Sequence, residues 1–316
     1  MTPRDAATAF APASIGNVGV GFDMLGLAIV GAGDRVTVRR AAQPGVRLAE
    51  VRDANGEAHR DLPADAARNT ASIAAGALWA VHGDGGIELA IEKGIPLESG
   101  MGSSAASAVA AVVAANALLA TPLRMPGLLP FAIEGERYAS GARHADNVAP
   151  SLLGGLVLCP EMLLPQTIAI APPAGVSSVL LHPDLKIGTA ASRRGLSRTC
   201  TMEQWLAQQA CLATFIMACE RGDAELIRKS LHDVIIEPQR APGVPPFEAI
   251  KAAAVGAGAL GCSLSGSGPS VFALARESEA PAVGRAMEAA CRAAGVACEI
   301  YISPMNAPGA RLLEQS

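Results

Sequence analysis

A strand-like stretch, a loop of glycine and serine, and a long run of alanine and valine follow one another between Gly86 and Ala120. In GIELAIE (86–92) apolar and polar residues alternate, the pattern of a half-buried strand. AASAVAAVVAANALLA (105–120) is apolar on every face, which predicts a helix buried all round. Strands and helices are mixed in both halves of the chain, so the fold class is α+β. The loop between them, Pro96-Leu97-Glu98-Ser99-Gly100-Met101-Gly102-Ser103-Ser104, runs on into Ala105 and Ala106. Its glycines let a ligand approach the backbone, and the first helical turn offers unpaired N–H groups at the positive end of the dipole. That arrangement cradles phosphate without a lysine in the loop. The same residues also read as a glycine turn followed by a serine-capped helix.

The apolar run, at 16 residues, falls short of the roughly 20 needed to cross a bilayer. MTPRDAATAFAPAS has no apolar core for a signal peptide. Seven cysteines between Cys159 and Cys298 form no CxxC pair, so neither a disulfide framework nor a four-cysteine zinc site follows. These features predict a cytoplasmic protein with reduced thiols and no membrane partner. With 25 basic against 29 acidic residues, and only two Trp, two Tyr and six Phe, nucleic acid is not an expected partner either.

Elsewhere the first 60 residues read as strands, with alternation over 28–39. Helices are predicted over 69–81 and 128–139, a loop over 140–150 and a strand over 155–158. Pro160, Pro165, Pro172 and Pro173 mark a boundary, giving halves 1–160 and 161–316. The second half predicts strands at 178–181, 270–275 and 297–302. Its helices are predicted at 202–220, 224–231, 247–255 and 280–294, with a proline-rich connection at 238–246. GAGALG (256–261) follows a helix and reads as its C-terminal turn, not as a dinucleotide loop. GxxxxGK[ST], HExxH and GxSxG are absent.

Two further small-residue loops share the character of the first: APASIGNVGVGFD (11–23) and SLSGSGPS (263–270). In this order, with PLESGMGSSAAS (96–107) between them, they resemble the three motifs of the GHMP kinases, the family of galacto-, homoserine, mevalonate and phosphomevalonate kinases. Asp23, HADNVAP (144–150), GTAASR (188–193) and EPQR (237–240) resemble its homoserine-phosphorylating branch. Met101 replaces the usual leucine, and Ile15-Gly16 a commoner small pair.

The resemblance implies two domains, an N-terminal one like ribosomal protein S5 domain 2 and a ferredoxin-like C-terminal one, with ATP and L-homoserine meeting in the cleft. It implies that Pro96 to Ala106 hold the ATP phosphates and that Ser104 and Glu136 bind Mg²⁺, a donor pair suited to a hard cation. The acceptor is a zwitterion with a hydroxyl. Asp23 would take its ammonium, and Arg193 and Arg240 its carboxylate. Asn17, His144, Asn147 and Thr189 would surround the hydroxyl or pack about it. Asp146 and Asn147 are the candidates at the reacting oxygen, with no general base assigned. The product would be O-phospho-L-homoserine, on the route to threonine, and a homodimer is compatible with the family. Outside these segments, His144 and the arginines would be ordinary structural and surface residues.

Overall fold

The computed structural model describes residues 4–62, 65–141 and 143–314. Its elements, in chain order, begin with β1 (Ala6–Gly16), β2 (Leu25–Ala41), β3 (Gly45–Arg52), α1 (Thr70–His82), β4 (Gly86–Glu92) and α2 (Ser103–Asn116). Next come α3 (Leu129–Ser140), α4 (Val148–Leu153), β5 (Leu156–Leu158), β6 (Ile168–Ile170), β7 (Val176–Pro183) and α5 (Thr189–Arg194). The chain continues with α6 (Met202–Arg221), α7 (Ala224–Ser230), α8 (Glu237–Arg240), α9 (Phe247–Gly256), β8 (Gly261–Leu264) and β9 (Val271–Arg276). It closes with α10 (Ala280–Ala293), β10 (Cys298–Pro304) and β11 (Arg311–Leu313).

The larger sheet runs β11-β1-β2-β4-β3, with β5 on β2 and β6 on β5. Alternate residues of β1 and β2 (Ala7, Ala9, Ala11; Val36, Val38) are buried and meet α2. All residues of α2 but Ser104 are buried, as its all-round apolarity requires. The helix ends at Asn116, four residues before the predicted end. There the Asn116 amide takes the Leu123 N–H and donates to the Leu123 carbonyl, turning the chain away. Small side chains let the neighbouring helices close in. At Gly135 of α3 a Cβ would stand 2.5 Å from the Thr70 carbonyl and 3.0 Å from Ala108 Cβ.

The smaller sheet has the order β10-β7-β9-β8 with every pair antiparallel, the ferredoxin-like arrangement. The chain leaves the larger sheet after Ile170, enters the smaller one at Val176 and returns through β11. Strands β6, β8 and β11 and helices α5 and α8 are additions to the sequence reading, and α4 begins inside the predicted loop 140–150. Among the described residues no helix is long and apolar enough to cross a membrane.

Candidate active site

The three small-residue loops converge. Ser14 N–H donates to the Met101 carbonyl (3.1 Å), and Gly266 N–H to that of Gly16 (3.0 Å). Ser265 Oγ donates to the Gly100 carbonyl (2.6 Å), and Ser270 Oγ to that of Ser99 (2.6 Å). Contact is close enough to demand glycine. At Gly100, φ is 76° and a Cβ would sit 2.6 Å from the Ser265 carbonyl. At Gly102, φ is 69° and a Cβ would sit 2.3 Å from Ser14 Oγ. Asn17, Val18, Asp23 and Glu98 also have positive φ, a clustering of backbone strain that the crossing loops sustain.

Together they wall a cleft of about 700 Å³. On one side Gly102 caps α2, whose first turn faces the cleft with Ser103 and Ser104. Met101 lies beneath the loop, fully buried, which fits the volume-conserving exchange with leucine. Pro96, Ala105 and Ala106 do not line the cleft; Leu97, Glu98, Ser99, Gly100, Gly102, Ser103 and Ser104 do. The Glu98 carbonyl accepts the Ile187 N–H (3.1 Å), tying the loop to the segment that leads into α5.

Ser104 Oγ donates to Glu136 Oε2 at 2.6 Å, because Gly135 lets α3 ride close to α1 and α2. Burial pushes the Glu136 carboxyl up to about 7, against the pull of the Ser104 hydrogen bond. A hydroxyl and a carboxylate at this spacing, at the end of a helix suited to phosphate, fit a Mg²⁺ ion whose other ligands are phosphate oxygens and water. Among the described residues no group of three or more His, Cys, Asp and Glu is placed to hold a metal.

Charge gathers at the other end of the cleft. Arg193 grips Asp23 with two hydrogen bonds of 3.0 and 2.6 Å. These raise the Arg193 pKa further, against burial. His144 Nδ1 lies 3.5 Å from Asp23 Oδ2; burial holds its imidazole below the ordinary value, so the ring is neutral at pH 7. Arg240 is buried and donates to the Gly266 carbonyl (2.7 Å). Burial and then Arg193 lower its pKa. Both guanidinium groups stack on Phe22, 5.3 and 5.2 Å from the ring centre. Three of the seven buried side-chain atoms without a partner among the described residues are here: His144 Nε2, Arg193 Nε and Arg240 Nε.

Between the two ends lie Asp146 and Asn147, under Gly16. Asn147 Oδ1 accepts from Ser14 Oγ (2.9 Å), and Asp146 Oδ2 accepts from Asn17 N–H (3.2 Å). Burial, and then the Asp23 charge, push the Asp146 carboxyl up to about 7. Asn17 is committed within the protein at both ends of its amide, donating to the Gly266 carbonyl and accepting from Asp23 N–H. Thr189 opens α5, but its side chain lies outside the described residues.

The structure therefore brings together Asn17, Asp23, His144, Asp146, Asn147, Arg193 and Arg240, with Ser104 and Glu136 along the same cleft. Sequence reasoning missed Phe22, although a rare aromatic beside Asp23 was a signal. It also missed Lys93, one of only four lysines, three residues before the loop.

A mostly antiparallel N-terminal sheet with a phosphate-suited helix end, joined to a ferredoxin-like sheet, defines a class, and the matches to known proteins agree. Residues 69–155 match the GHMP kinases N terminal domain and residues 215–293 the GHMP kinases C terminal domain. The chain belongs to the GHMP kinase family. Within it, the chain is 49% identical over 313 residues to the homoserine kinase of Xylella fastidiosa (strain 9a5c), covering 97% of this chain and 94% of that protein. It is 40% identical over 321 residues to the homoserine kinase of Chlorobaculum tepidum, covering 97% and 98%. The crystal structure of homoserine kinase from Cytophaga hutchinsonii superposes with a TM-score of 0.93 at 38% identity, covering 99% of both chains. The crystal structure of L. major mevalonate kinase, at 17% identity and a TM-score of 0.66 over 96% and 98% of the chains, shares the fold.

Proposed function

We propose that the protein is an ATP-dependent homoserine kinase, transferring the γ-phosphoryl group of ATP to the side-chain hydroxyl of L-homoserine. The observation that carries the substrate is the cluster of Asp23, Arg193 and Arg240 with their unpartnered nitrogens, at one end of a cleft whose other end suits phosphate. A zwitterion can exchange partners with the Asp23–Arg193 pair. Its ammonium replaces the guanidinium at Asp23, and its carboxylate takes Arg193 and Arg240 with bidentate geometry. Mevalonate has no ammonium to offer Asp23.

In the reaction, the α2 N-terminus and the glycine loop hold the phosphates, and Ser104 with Glu136 would hold Mg²⁺. Held there, Mg²⁺ would supply positive charge against the phosphates. His144, neutral and with its Nε2 unpartnered, is a hydrogen-bond donor or acceptor for the acceptor molecule. The homoserine hydroxyl oxygen bonds to the γ-phosphorus as the bond to the ADP oxygen breaks. Its proton has a receiver in Asp146, whose carboxyl, held at about 7 by burial, is poised between its two forms near neutral pH. Asn147, fixed by Ser14, completes the polar wall. Alignment and charge carry most of the catalysis in phosphoryl transfer, so a weak base suffices.

Of the halves 1–160 and 161–316, the first is proposed to supply the phosphate end and Asp23, and the second Arg193 and Arg240. A cytoplasmic homodimer that feeds threonine synthesis completes the reading; sedimentation at twice the chain mass would support the dimer, and at the single chain mass would overturn it. The reaction is tested by ADP release with Mg·ATP and L-homoserine, mevalonate, galactose or no acceptor. Turnover with homoserine alone supports the reading. Turnover with another acceptor overturns the Asp23 pocket, and none with any acceptor overturns kinase activity in favour of a nucleotide sensor.

A further inference from the structure

Behind the phosphate end of the cleft lies a buried ion pair that the reaction does not use. Asp34, in the middle of β2, is fully buried, and Lys93, just past β4, is 5% exposed. The Lys93 ammonium binds Asp34 Oδ2, the Ser103 carbonyl (2.9 Å) and Ser107 Oγ (2.8 Å). Ser107 Oγ in turn donates to Asp34 Oδ2 (2.6 Å). The other Asp34 oxygen accepts the N–H groups of Gly94 (3.0 Å) and Ile95 (3.2 Å), at the entry to the glycine loop. Ser103 Oγ closes the network on the Ile95 carbonyl (3.0 Å). One cluster thus ties together β2, the start of the loop and the first turn of α2.

For stability alone the placement is wrong. A cation beside the first turn of a helix opposes the helix dipole, and a buried ion pair is often no better than apolar residues of the same volume. Where a polyanion is to be received, the same placement is favourable. The ammonium reinforces the positive end of α2, Asp34 supplies the counter-charge from the far side, and the loop backbone is held in its receiving shape. Lys93, Ser103 and Ser107 all border the cleft.

We propose that Asp34 and Lys93 are positioning residues for the nucleotide, setting the geometry and the field of the α2 N-terminus. The proposal rests on the kinase reading, because it presumes that phosphate binds there. It concerns residues outside the loop motif, and it supplies, from the residue just after the preceding strand, the lysine that the loop itself lacks.

The test compares wild type with K93M, D34N and the double variant D34N/K93M, by thermal melting, direct Mg·ATP titration and the KM values for ATP and homoserine. Each single variant leaves a buried group unpaired and is expected to melt lower. The double variant removes both charges together and is expected to melt near wild type, yet to bind Mg·ATP at least tenfold more weakly, with KM for homoserine little changed. S107A, which keeps the ion pair but loses one of its two links to α2, the other being the Ser103 carbonyl, is expected to weaken Mg·ATP binding in the same direction. A double variant with wild-type Mg·ATP affinity would show that the pair is only structural. If neither the double variant nor S107A folds, the pair is a folding element and the proposal falls. Wild type that fails to bind Mg·ATP would take down the kinase reading itself, whatever the variants do.

Discussion

Asp23 carries three relationships at once. It is gripped by Arg193, approached by His144, and raises the pKa of buried Asp146. Asp23→Ala should therefore raise KM for homoserine by about ten- to a hundredfold, the worth of one charged hydrogen-bonding partner, while Mg·ATP affinity stays within twofold. Unchanged KM would remove Asp23 from the acceptor pocket. Asp146 makes a prediction in pH. Its folded pKa, about 7, lies above the ordinary carboxylate range, so the folded state holds a proton that the unfolded state gives up. Its contribution to stability is then full at low pH and is lost as pH rises from about 4 through about 7. Asp146→Asn should raise the melting temperature relative to wild type at pH 8 and much less at pH 5. If Asp146 takes the proton, kcat of the wild type rises over the same interval in which that stability falls. A melting difference that does not depend on pH would mean that Asp146 is ionised throughout.

At the scale of elements, the junction of the three loops depends on backbone that no side chain may enter. Gly100→Ala places a Cβ against the carbonyls of Ser265 and Gly268, at 2.6 and 2.7 Å, in a conformation unfavourable to alanine. Both neighbours are backbone and have little room to give. A cost of roughly 1–3 kcal/mol from the strained conformation alone, plus the steric shift, should lower the melting temperature and Mg·ATP turnover together. Wild-type melting would mean that the loops separate more easily than their hydrogen bonds indicate. The elements the sequence made legible are those with their own periodicity, such as β4, whose bounds 86–92 agree with the alternation, and α6, predicted over 202–220 and found over 202–221. Strands β8, β11 and helices α5, α8 span three to six residues. Segments this short carry no period, and their geometry is supplied by the neighbour they pair with.

For the whole molecule, the site exists only because two sheets and their helices close on one cleft. Ser104 and Glu136 come from the first half, while Arg193 and Arg240 come from the second, Arg193 reaching Asp23 and Arg240 stacking on Phe22 across the cleft. Ligand that bridges the cleft should stabilise the entire fold. Mg·ADP at about a hundred times its dissociation constant is worth about 2.7 kcal/mol, a rise of several degrees in melting temperature. Chelation of the metal should remove most of that rise and abolish turnover, and Ser104→Ala should reproduce part of the loss. A shift with ADP that ignores chelation would mean that the nucleotide binds without a metal, and would remove the metal role from the Ser104–Glu136 pair.

By itself the sequence determined the α+β class, the helix α2 buried on every face, and the three glycine loops. Each is written in local composition and periodicity, which act over a few residues wherever the chain goes. Only the tertiary structure decided that Asn17 spends its amide inside the protein, that Phe22 stacks both arginines, and that Asp34 and Lys93 stand behind the phosphate end. Those facts depend on residues up to 249 positions apart in the chain meeting at one point. They also depend on the burial that meeting creates. It is burial, more than residue type, that moves the carboxyls of Glu136 and Asp146 to about 7.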